Sequence, residues 1–122
     1  MATAHDAMSG LAMYPTMREL QWSKAEKAAA RRIFATAYER ESKAIRAELK
    51  RMIEKASEPR DIWRIHDYLS DERRETDRKY DYRYSVLLLV FSRLFSEGWL
   101  AEDDLRGLHQ DKIEMIKRAV NF

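Results

Sequence analysis

Apolar positions set the frame of this chain. Ala35, Tyr38, Ser42, Ile45, Leu49, Met52 and Ala56 recur at alternating steps of three and four, the seam of a heptad-patterned helix. A second row (Ile33, Phe34, Ala37, Ala44, Ile53) widens the apolar stripe. Ser23-x-x-Glu26 forms a capping-box signature, and nothing breaks a helix from Lys24 until Ser57-Glu58-Pro59. The pattern therefore predicts a rod of about 32 residues, near 48 Å long. A rod with two apolar sides packs on more than one neighbour, and a second copy of the chain is the favoured one. The other readings are a helix folded wholly onto its own C-terminal half and a rod broken near Glu39–Ser42.

Pro59 opens the next helix, running from Arg60 to Lys79 or Tyr82, with Ile62, Trp63, Ile65 and Leu69 as its apolar side and Tyr68 beside them. The charged run from Ser70 to Arg83 reads mostly as a solvated face, steadied by pairs such as Asp71–Arg74 and Glu75–Lys79. Ser85 to Phe95 is apolar nearly all round and predicts a buried central helix, ended by Gly98 with Trp99-Leu100 folding back. Asp103 or Asp104 then caps a short turn over Leu105–Leu108 ended by Gly107. Asp111 begins an amphipathic helix with Ile113, Ile116 and Val120 on one side.

Residues 1–21 hold Gly10, Pro15 and no sustained period. They predict an extension, with a short helical piece around Met17–Leu20, ahead of a single domain over 22–122. The fold class is all-α: a long N-terminal stem and a compact C-terminal head, paired as a homodimer.

Composition narrows the function. Only three Gly and two Pro among 122 residues, with 36% charged and 45% apolar types, suit helices throughout. The net charge of +2 is spread rather than concentrated, which argues against a nucleic-acid partner. The absence of cysteine excludes a disulfide scaffold and a thiol catalyst. No segment approaches the roughly 20 apolar residues of a membrane span, and no signal peptide is evident. Membrane insertion is not expected, and the cytoplasm is the expected compartment.

His66-Asp67 invites comparison with metal-dependent phosphohydrolases, yet only His5 and His109 remain as further imidazoles. Adjacent helix positions also point about 100° apart, which disfavours a triad-like pairing. No phosphate loop, dinucleotide fingerprint or nucleophile elbow exists, so neither an enzyme nor a metal is expected. Arg73, Arg74, Arg78, Lys79 and Arg83 alternate with Tyr80, Tyr82 and Tyr84 as in a nucleic-acid surface. Five interspersed carboxylates cancel that field.

Trp63, His66, Asp67 and Ser70 project from one side of the second helix; Arg74 continues that side and Arg73 flanks it. Two readings stand for Trp63: a core residue, or an interface anchor ringed by groups able to pair with a partner.

Three blocks carry a family resemblance: W-x-x-H-D-Y-L-S from Trp63, R-x-E-x-D-x-K-Y-D-x-R-x-S-V-L from Arg73, and V-F-x-x-L-x-x-x-G-W-L from Val90. In order and spacing they resemble the fluorescence recovery protein family of cyanobacteria, across Trp22 to Asn121. The resemblance implies an all-helical homodimer without enzyme activity, pigment or cofactor. Such a protein binds the light-activated orange carotenoid protein, chiefly its C-terminal domain, and speeds its return from the red to the orange state. By motif, the partner-binding residues are Trp63, His66, Asp67 and Arg73, with Phe91 matched to a phenylalanine of the family's head. The alternative is a helical scaffold dimer with another cytosolic partner.

Overall fold

The computed structural model describes residues 20–119. What was expected of residues 1–19, and of Val120, lies outside the described residues. Among the described residues four α-helices follow one another: α1 (Lys24–Lys55), α2 (Pro59–Lys79), α3 (Leu87–Ser96) and α4 (Gln110–Ala119). A 3-10 turn over Glu102–Leu105 links the last two.

α1 is one unbroken rod of 32 residues. Its first turn is closed by the expected reciprocal cap: Glu26 N–H donates to Ser23 Oγ at 3.1 Å, and Ser23 N–H donates to Glu26 Oε1 at 3.2 Å. The second apolar row divides along its length. Ile33 and Ala37 are buried in the head with Ala29 and Ala30, whereas Ala44 and Ile53 face solvent. The stem is thus a core helix in its first half and a projecting rod in its second.

The chain turns back at Ser57–Pro59. The Asp61 carboxylate accepts from the N–H groups of Ser57 and Glu58, each at 2.9 Å, and Pro59 occupies a first-turn position where no amide is needed. α2 then returns along α1, bringing Ile65 beside Met52 and Ala56, and Leu69 beside Ile45 and Ser42.

The head is built on Phe91, Leu87, Leu88 and Leu94 of α3, packed with Ile33 and Ala37 of α1, Leu105, and Ile116 of α4. α3 ends in a Schellman arrangement: Trp99 N–H donates to Leu94 O at 2.9 Å and Gly98 N–H to Phe95 O at 3.1 Å. Gly98 takes φ +88°, the left-handed conformation that this cap requires. Leu89 departs from the expected all-round burial. Its side chain is exposed beside Val86, Val90, Arg78 and Arg93, because the core claims the other faces of α3.

Two clasps tie the head to the stem. Arg32 of α1 donates to the carbonyls of Asp104 and Arg106, and Arg40 holds Asp104 at 2.7 Å while donating to Trp99 O at 3.0 Å. At the other end, Lys112 of α4 reaches Glu26 at 3.1 Å and Gln21 O at 2.6 Å, its ammonium 5.0 Å from the Trp22 ring. Leu20 and Gln21, placed by pattern in the extension, are therefore fastened to the head. The Lys112 ammonium and a hydrophobic contact contribute to this, and neither shows in local periodicity.

Candidate protein-docking site

α2 carries the candidate residues on an unusual scaffold. Of its 21 residues only Lys79 is buried; every apolar side chain keeps solvent access. Ile62 and Trp63 are 63% and 65% exposed. An indole left open on a helix is a large exposed apolar area, of the kind interfaces use.

Trp63 stands at the head of a short chain of contacts. Its ring lies 6.4 Å from the His66 ring, edge to face, and His66 Nδ1 lies 3.2 Å from Asp67 Oδ1. The sequence geometry disfavoured that last pairing. It forms because both side chains are exposed and free to lean toward each other along the helix surface. Largely open to solvent and without a third group to orient it, the pair is no catalytic triad. Among the described residues no three His, Asp or Glu side chains converge as metal ligands.

Ten positions along, Arg73 extends into solvent with only a long contact to Asp77, at 3.9 Å. Arg74 is paired with Asp71 at 3.1 Å. At 100° per residue, Arg73 projects within about 20° of His66 and Arg74 within about 20° of Trp63, so the strip continues along both edges. Arg73 also borders a cleft between the helices, together with Tyr38, Ser42, Ile45 and Leu69. Beside it on α1 lies an open apolar hollow of about 530 Å³ formed by Phe34, Ala35, Tyr38, Glu39 and Ser42.

Phe91 is not part of this strip. It is fully buried at the centre of the head, so its ring cannot meet a partner while the head stays folded. The structure thus brings Trp63, His66, Asp67 and Arg73 onto one helix surface and places Phe91 in the core.

The tyrosines of the charged run also turn inward. Tyr80 packs edge to face on Phe34 and Tyr38, and Tyr82 on Phe34 and Tyr84, while Tyr84 lies tilted on Trp22. Rings spent on the stem are not offered for stacking on bases. Burial, then the carboxylate of Glu41, push the Tyr80 phenol well above its ordinary value. The pattern of alternating tyrosines hid this role, because the segment after Lys79 leaves the helix and its side chains no longer follow helical spacing.

Comparison with known proteins agrees with this architecture. Residues 22–119 match the family described as photoprotection regulator fluorescence recovery protein. A fluorescence recovery protein of Synechocystis sp. is 38% identical over 99 residues, covering 81% of this chain and 91% of that protein. The solved fluorescence recovery protein of Fremyella diplosiphon is 44% identical with a TM-score of 0.79, over 84% of this chain and all of that one. The solved Synechocystis structure gives 36% identity, the same TM-score and the same coverage.

Proposed function

The chain belongs to the fluorescence recovery protein family of photoprotection regulators, and from that premise we propose that it docks on the photoactivated orange carotenoid protein and accelerates red-to-orange reversion. It does so by binding alone, as a cytoplasmic homodimer, with no cofactor. The observation that carries this reading is the open Trp63 indole on a helix with no sealed apolar residue.

A binding protein speeds a conformational return only by holding the transition state or a compact intermediate more tightly than the open form. Each 1.4 kcal/mol of that difference is about tenfold in rate. Trp63 supplies the apolar anchor, and His66, Asp67 and Arg73 supply pairing charges around it, on the partner's C-terminal domain. Phe91 acts from the core by holding the head that carries α2. Leu69 and Tyr38, exposed along one cleft, and the apolar hollow on α1 that Tyr38 also lines, suit a second copy of the chain. Pairing there sets two strips about a two-fold axis.

Absorbance relaxation of the illuminated carotenoid protein, with and without this chain, tests the reading. The wild type shortens the red-state lifetime, and Trp63→Ala and Arg73→Leu lose that effect with unchanged far-UV circular dichroism. Full activity in both variants rejects the assignment.

A further inference from the structure

The only sealed side chain of α2 is a charged one, and it sits where the helix ends. Lys79 Nζ lies 2.7 Å from Glu41 of α1 and 2.7 Å from Glu97 just beyond α3. Tyr80 Oη donates to the other oxygen of Glu41 at 2.8 Å. Glu97 also accepts from Arg93 Nε at 2.8 Å, and Arg93 Nη2 donates to Glu75 of α2 at 2.9 Å. One continuous ionic chain therefore joins stem, strip helix and head at a single point. Burial disfavours the Glu97 carboxylate, but the Lys79 and Arg93 hydrogen bonds outweigh it and hold the group below its ordinary value.

Elsewhere α2 rests on α1 through Ile65 and Leu69, both partly wet. Loose apolar contacts slide at little cost, whereas a buried ammonium fixed between two carboxylates tolerates neither lengthening nor loss of one partner. Trp63 stands about 24 Å up the helix from Lys79, so a rotation of about 5° at that point moves the indole about 2 Å. Displacements of this size are enough to spoil a fitted contact.

We propose that Lys79 is a positioning residue for the docking strip: inaccessible to any partner, it sets the angle at which α2 leaves the head. This rests on the docking reading above, but its geometric half is tested without the carotenoid protein. The chain has no cysteine, so Arg60→Cys on α2 and Ala101→Cys in the head provide the only two sites for spin labels. Labelled chain is diluted with unlabelled chain so that intrachain distances report.

In the wild type the label-to-label distance distribution is narrow; in Lys79→Met it broadens. Glu97→Gln, which leaves the Lys79–Glu41 pair in place, is the milder variant should Lys79→Met fail to fold, and it broadens the distribution less. In the relaxation assay both variants keep the saturating rate but require roughly tenfold more protein for half the effect. An unchanged distribution in the folded variants overturns the proposal. So does a broadened distribution with an unchanged half-effect concentration. Failure of the wild type to accelerate relaxation strikes the docking reading instead, and the distances then decide on Lys79 by themselves.

Discussion

Lys112 and Glu26, 86 positions apart in sequence, meet at 3.1 Å with both side chains withdrawn from solvent. This contact locks the first turn of the stem to the last helix. It predicts an acid-labile fold. Burial works to raise the Glu26 carboxyl. The His109 and Ser23 N–H groups and the Lys112 ammonium outweigh burial and hold it below its ordinary value near 4.5. A carboxyl depressed in the folded state adds stability that is fully present above about pH 4.5 and lost as pH falls through the folded value. Melting temperature followed from pH 7 to pH 3 should therefore drop. Glu26→Gln should flatten that drop while costing on the order of 1–3 kcal/mol at pH 7, since it removes the carboxylate beside a buried ammonium that keeps Gln21 O as an acceptor.

Gly107 is more demanding than Gly98. Both take positive φ, but a Cβ at Gly107 would sit 2.5 Å from Ala29 Cβ, while none of the surroundings of Gly98 lies within 4 Å. Gly98→Ala should cost about 1–2 kcal/mol, the strain of a left-handed residue. Gly107→Ala adds a clash with the stem and should cost more. Urea denaturation of the two variants checks the ranking.

Trp63 and Phe91 separate by burial. Phe91→Ala should destabilise the head by about 3–5 kcal/mol, through lost transfer energy and the cavity left behind. Trp63→Ala removes a side chain that the protomer leaves open, so the change should stay within about 0.5 kcal/mol. Thermal unfolding of the two variants at one low protein concentration is the comparison to make.

The rod, the Pro59 start, the Gly98 cap and the core helix were legible because each rests on local chemistry: spacing of apolar residues, a missing amide, a residue free to take positive φ. The burial of Lys79, Lys112 and Glu26 was not legible. A charged residue in a charged run reads as solvated unless its distant partners are known, and Glu41 lies 38 positions from Lys79. By pattern Glu26 is half of a capping box, and nothing local shows that its second oxygen also accepts from His109 N–H at 2.9 Å. At the site, the strip of Trp63, His66, Asp67 and Arg73 followed from helix geometry together with family resemblance. Phe91, matched to a phenylalanine of the family's head, lies buried in the core, and resemblance carries an identity without its exposure.

Photo-crosslinking from the position of the indole tests the central claim most directly. A benzoylphenylalanine placed at Trp63, irradiated with the red-state carotenoid protein, should capture that protein through its C-terminal domain. The same probe at Lys50, exposed on the stem, should not. Capture from Lys50 but not from residue 63, or capture only of a second copy of this chain, would contradict the account.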